Sequence, residues 1–178
     1  ASTLSCVIAQ RLVRRVCPEC REPAEATRED MRFLGLERSD LAGLSLVRGA
    51  GCVACGGAGF RGRAGIHEML LPDDDFRDAV MRRAPSKELR AIARAIPAFL
   101  TLQETGLLKA GVGVTTLAEV VANVPRDGAA RRPAELRELS ERDAGVVGMD
   151  HPLDNDRDPP RQPGRILAIA RHARTRCR

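Results

Sequence analysis

Two cysteine pairs, Cys17-Pro18-Glu19-Cys20 and Cys52-Val53-Ala54-Cys55, constrain this chain more than any other feature. Each C-x-x-C spacing sets two sulfurs on one side of a tight turn, so the two turns together can close four thiolates around one tetrahedral ion. A four-cysteine set without histidine leaves no open coordination position. The ion, Zn2+ on this reading, is therefore expected to hold a fold together and not to activate water. Pro18 and Gly56 suit the turns, glycine because it tolerates the positive φ that directs backbone N–H groups toward sulfur. The four thiolates with one Zn2+ retain negative charge, and Arg14, Arg15, Arg21, Arg61 and Arg63 flank the pairs as candidate neutralisers. Two disulfides are the competing reading, and iron in the same four thiolates is another, since all-sulfur tetrahedral sites accept either metal.

Composition narrows the partners. The chain has 178 residues, a net charge of +5 and a pI near 9.2, and all its basic residues except Lys87 and Lys109 are Arg. Basic residues are interspersed with acidic ones, and only four Phe with no Trp or Tyr are present, so no stacking platform for nucleic acid accompanies the charge. No apolar run approaches the roughly 18 residues that suggest a membrane span, and the first residues lack the pattern of a secretory signal. The expectation is a cytosolic, reducing setting, which favours metal over disulfides.

Local patterns suggest the elements. Leu4, Val7, Ile8, Leu12 and Val16 recur at helical spacing and predict an amphipathic helix over 2–15, with Cys6 a small buried residue on its stripe. Thr27 with Asp30 predicts an N-cap and a short helix through Phe33 and Leu36; Leu44–Val47 and Ile66–Leu71 read as strands. His67 then reads as a hydrogen-bonded or solvated strand residue and not as a further ligand. Asp73 and Ser86 each predict a helix start, a third helix covers 101–109 and stops at Gly111, and Thr116 with Glu119 forms a capping-box pattern. Beyond Pro125 mixed charges and prolines without aromatics predict a disordered tail over 127–178, with a weak helical signal at 166–173 and Cys177 a passive thiol.

In order along the chain stand Val7-Ile8-Ala9-Gln10-Arg11-Leu12-Val13-Arg14-Arg15-Val16-Cys17-Pro18-Glu19-Cys20, then Gly51-Cys52-Val53-Ala54-Cys55, then Gly59-Phe60-Arg61-Gly62-Arg63-Ala64-Gly65-Ile66-His67-Glu68-Met69-Leu70. Leu100 to Gly111 and Gly113 to Val120 close the set. Taken together these runs resemble the C-terminal part of the traffic ATPases of type II secretion and type IV pilus assembly, the GspE/PilB family, over roughly 3–126. Thr105 stands where members usually carry Asp, and Ile96-Pro97-Ala98 replaces a Gly-containing turn. The resemblance implies an α+β, mainly helical chain: the C-terminal end of a RecA-like ATPase domain with an inserted tetracysteine zinc module. On that basis 1–16 is the last helix of the core, 17–60 the zinc module with Cys17, Cys20, Cys52 and Cys55 as ligands, and 61–126 a strand and helical region. The remaining 127–178 is a charged tail.

The resemblance also implies a hexamer, contacts with an inner-membrane platform, a cytoplasmic place peripheral to that membrane, and Arg63 as a candidate subunit contact. ATP and Mg2+ belong to the full-length parent: no G-x-x-x-x-G-K-[ST] phosphate loop occurs among these residues, so the chain alone is expected to be inactive. The competing class is a free-standing zinc ribbon that binds nucleic acid, for which only Phe60 beside Arg61 and Arg63 offers a stacking residue.

Overall fold

The computed structural model describes residues 3–96, 99–126, 128 and 130–142. Its backbone is a long antiparallel ribbon of β1 (Val7–Val16) and β4 (Phe60–Leu70), in register from Val7 opposite Leu70 to Arg14 opposite Arg63. The expected helix over 2–15 is therefore a strand. Its apolar residues at 7, 8, 12, 13 and 16 fit a helical stripe but include four β-branched side chains, and pairing with β4 decides between the two periodicities. Alternation sets Val13, Ala64 and Ile66 on the buried face, whereas Ile8 and Leu12 are exposed at 62% and 48%. Cys6, expected to be buried, is exposed.

Between the two long strands the chain makes a smaller unit. A 3-10 turn at Pro18–Cys20 leads into β2 (Arg21–Pro23), which pairs antiparallel with β3 (Val47–Gly49); the strand expected at 44–47 begins only at its last residue. Between them lie α1 (Arg28–Leu34) and a 3-10 turn at Arg38–Leu41. Thr27 caps α1 as expected, its hydroxyl accepting from the Asp30 N–H at 3.0 Å while the Asp30 carboxylate accepts from the Thr27 N–H. A final 3-10 turn, Val53–Cys55, returns the chain to β4.

After β4 come α2 (Asp74–Met81), capped by Asp73, and α3 (Ser86–Ala95), which starts behind Pro85 so that Ser86 is its first residue and not its cap. Leu70, Phe76, Ala93 and Phe99 form a small core there. The larger core centres on α4 (Leu102–Gly111), every residue of which is buried, with α5 (Leu117–Asn123) crossing it. At their contact a Cβ on Gly106 would come 2.6 Å from Val120 Cγ1, so glycine sets how closely the two helices approach.

The expected tail departs from prediction at its start. Residues Pro133–Arg142 form α6, whose Leu136 is fully buried against the main core and whose Leu139 packs on it. Two leucines three residues apart on one helix face supply enough apolar area to order this segment despite its charge. The remainder of the expected tail, the helical signal at 166–173 and Cys177 lie outside the described residues.

Candidate metal centre

The two cysteine turns meet where the β1–β4 ribbon ends. β1 delivers Cys17, fully buried, and the following turn delivers Cys20; β3 and the second turn deliver Cys52 and Cys55. Backbone bonds clamp the turns together: Cys17 N–H donates to Gly59 O at 2.9 Å, and Ala50 N–H to Cys20 O at 2.9 Å. The approach is tight enough that a Cβ on Gly49 would lie 1.9 Å from Gly59 O. Gly56 adopts a left-handed φ of 61° and donates its N–H to Val53 O, which closes the second turn.

The four sulfurs all lie within 4.8 Å of one another. Cys17 and Cys52 are 3.9 Å apart, Cys20 and Cys55 3.9 Å, and Cys52 and Cys55 3.7 Å. These separations are close to the edge of a tetrahedron, roughly 3.8 Å, that follows from metal–sulfur bonds of about 2.3 Å. Sulfurs in a disulfide would be about 2.05 Å apart. Backbone donors already point at the cluster: Gly51 N–H to Cys20 Sγ at 3.3 Å, and Cys52 N–H and Gly59 N–H to Cys55 Sγ, each at 3.2 Å. Such N–H···S bonds stabilise thiolate and orient it, as outer-shell groups do at metal sites.

The sulfurs differ in acidity for reasons visible in this geometry. Removal from water pushes the Cys20 thiol up to about 12, against the pull of the Gly51 N–H, with the neighbouring sulfurs adding to the rise. The Cys52 N–H, joined by that of Gly59, outweighs burial at Cys55 and brings it down to about 6. Four negative sulfurs cannot share so small a volume without a cation, and a divalent ion that prefers tetrahedral sulfur removes that conflict. The residues therefore fit a metal ion, and zinc is compatible with them.

The expected neutralisers behave differently. Arg14 turns away from sulfur: its N–H, Nε and Nη2 donate to the Glu119 carboxylate at 3.1, 2.9 and 2.7 Å, and its guanidinium lies 4.1 Å from the centre of the Phe60 ring. Thr116 thus caps α5, its Oγ1 accepting from the Glu119 N–H, while the Glu119 side chain ties α5 to β1 and does not complete the expected capping box. Burial would raise the Glu119 pKa, but Arg14 more than offsets this and holds the carboxyl below its usual range. Arg21, Arg61 and Arg63 point to solvent. Arg63 sits opposite Arg14 in the ribbon, and with Arg14 committed to Glu119 it remains a surface cation. His67 belongs to β4, where its carbonyl accepts from Thr105 Oγ1 at 2.8 Å, so the residue that departs from the family pattern has a structural partner.

Sequence reasoning missed one further site, the fully buried Glu104. Its carboxylate accepts from the Thr101 N–H at 2.9 Å and from Arg131 N–H, Nε and Nη2 at 3.1, 2.9 and 2.8 Å. Thr101-x-x-Glu104 is a readable capping-box signal, but nothing local announces a partner 27 residues away.

Residues 1–122 match the family model described as "Type II/IV secretion system protein". A type IV pilus assembly ATPase PilB of Thermus thermophilus is 45% identical over 116 residues, 65% of this chain but 13% of that protein. The type II secretion system ATPase E of Vibrio cholerae is 38% identical over 121 residues, 68% of this chain and 23% of that protein. A second PilB, of Myxococcus xanthus, is 34% identical over 127 residues, 71% and 22% of the two chains. The chain thus spans less than a quarter of the length of these relatives.

Proposed function

The chain belongs to the type II/IV secretion system protein family, and from that premise we propose that it forms the zinc-bearing, non-catalytic C-terminal portion of a hexameric ATPase driving type II secretion or type IV pilus assembly. The observation that carries the proposal is the coincidence of the family match over 1–122 with four sulfurs at tetrahedral spacing inside it. Zn2+ held by Cys17, Cys20, Cys52 and Cys55 supplies a closed four-coordinate tie between the two turns, with no position for water or substrate. The protein's own groups do the rest: N–H donors of Gly51, Cys52 and Gly59 orient the thiolates, and the Arg14–Glu119 pair fixes the strand that carries Cys17 to the helix behind it.

On this reading 1–16 contribute a strand to the edge of a RecA-like core, replacing the helix first expected there. Residues 17–60 are the zinc module and 61–126 the C-terminal strand and helical region. ATP and Mg2+ bind upstream residues of the full-length parent, and the partners are neighbouring subunits and the inner-membrane platform, at a cytoplasmic, membrane-peripheral place. No helix among the described residues is long and apolar enough to cross a membrane.

The test is steady-state phosphate release with Mg-ATP, using the purified chain alone and mixed with a separately expressed ATPase core, alongside metal analysis. The expected result is about one zinc per chain, no turnover by the chain alone, and turnover that changes in the mixture. Magnesium-dependent turnover by the chain alone would refute the non-catalytic reading, and a metal-free native chain would refute the zinc assignment.

A further inference from the structure

We propose that the buried Glu104 carboxylate, the Phe99 carbonyl and the apolar surface between α4 and the Arg38–Leu41 turn form a receptor for an arginine-anchored amphipathic helix. Its resident, displaceable ligand is this chain's own segment 130–142. The proposal stands apart from the function above, because the ligand lies beyond the family-matched residues 1–122 while the receptor lies within them.

The anchor is a fork. Arg131 Nε and Nη2 reach both oxygens of Glu104 at 2.9 and 2.8 Å, its backbone N–H reaches Oε1 at 3.1 Å, and Nη2 also donates to Phe99 O. A planar guanidinium matches this pair of acceptors in a way a lysine ammonium does not. The receptor needs the cation: Glu104 is fully buried, and burial by itself would raise its pKa. Arg131, assisted by the Thr101 N–H, reverses that and holds the carboxyl below its usual range. A carboxylate left there without a cation would be a buried, largely unpaired charge.

Beyond the anchor the ligand reads as a short helical motif. Leu136 is fully buried and Leu139, three residues on, packs against the same core, while Ala134, Glu135 and Glu138 face solvent. Two further contacts reach the unit that carries the cysteines: Ala130 N–H donates to Leu34 O at 3.2 Å, and Arg132 Nε lies 4.0 Å from Asp40. The segment therefore straps the α1 region to α4. Its ten-residue helix is too short to be stable in water by itself, so it is helical when seated and unfolded when released. One fork and two leucines are a contact set small enough to open locally without global unfolding.

A synthetic peptide of residues 128–142, fluorescently labelled, tests this against the full chain and its Arg131→Ala variant, in which the resident ligand is weakened. The variant should bind the peptide at least about tenfold more tightly than the unmodified chain, whose site is filled. Amide exchange at 105–108 and at Leu36 should speed up in the variant and return toward the original rate when peptide is added. An Arg131→Ala peptide should bind neither protein. Arg131→Lys in the chain keeps the charge and loses the fork, and should give intermediate peptide affinity and exchange. Three results would overturn the proposal: equal binding of both peptides, exchange that peptide does not restore, or no peptide binding by both the Ala and the Lys variants.

Discussion

Cys52 shows how much one side chain carries in a small unit. It closes two of the sulfur contacts, to Cys17 and to Cys55, and its own N–H supports Cys55. Between the cysteine turns the chain has two three-residue strands and one seven-residue helix, and its Leu34 and Leu36 pack into the main core and not into a core of the unit's own, so the ion is left to hold the two turns themselves. Cys52→Ser should therefore lower zinc per chain and open 17–60 to protease while leaving the β1–β4 ribbon protected; unchanged zinc and unchanged proteolysis would remove the four-cysteine site. Arg63 poses the complementary case, an exposed cation opposite a committed one. If it contacts a neighbouring subunit, Arg63→Ala in a full-length family member should reduce hexamer formation or ATP turnover with zinc retained. Loss of zinc instead would assign Arg63 to charge balance at the thiolates.

Among the elements, α4 is the one around which the others are placed. Its outward-facing positions are covered too: Leu102 N–H donates to Glu68 at 3.2 Å, Thr105 reaches β4, and Gly106 admits Val120 of α5. A helical glycine ordinarily costs about 1 kcal/mol relative to alanine. Gly106→Ala regains that, yet its Cβ would meet Val120 Cγ1 at 2.6 Å, Cγ2 at 3.2 Å and Cβ at 3.5 Å, so rotating the valine does not clear it. The helices must move apart, at a typical cost of about 1–3 kcal/mol. The net expectation is destabilisation by up to about 2 kcal/mol in denaturant unfolding; a midpoint above that of the unmodified chain would show that the packing yields more easily.

At the scale of the whole molecule, two carboxylates join segments distant in sequence: Glu119 holds β1 to α5, and Glu104 holds α4 to the residues before α6. Both carboxyls titrate below their usual range. A depressed folded pKa means that the unfolded chain binds the proton first, so the stability they contribute is complete above the unfolded value, about 4.3, and is lost as pH falls through their folded values. The denaturation midpoint should accordingly stay level from about pH 7 to 5 as far as these groups are concerned, and fall below about pH 4.3. The double variant Glu104→Gln, Glu119→Gln should start from a lower midpoint and show a shallower acid fall. An equally steep fall in that variant would move the effect to other groups, the remaining carboxylates first among them.

What the amino-acid order settled by itself was local chemistry. The C-x-x-C spacings announced a four-sulfur site, Thr27 with Asp30 and Asp73 announced helix starts, and the ordered runs from Val7 to Val120 announced the family, because each signal is complete within a few residues or within a matched pattern. The tertiary structure decided what depends on distant partners. Val7–Val16 is a strand because β4, more than 40 residues away, offers a matching ladder, and its apolar spacing alone fits a helix as well. Arg14 serves Glu119 and not the thiolates, across 105 positions, and Arg131 with Leu136 turns the start of an unpromising charged stretch into an ordered helix. Periodicity and composition report which faces can be buried; only packing determines what buries them, since buried charge and apolar area gain their free energy from neighbours that local sequence does not name.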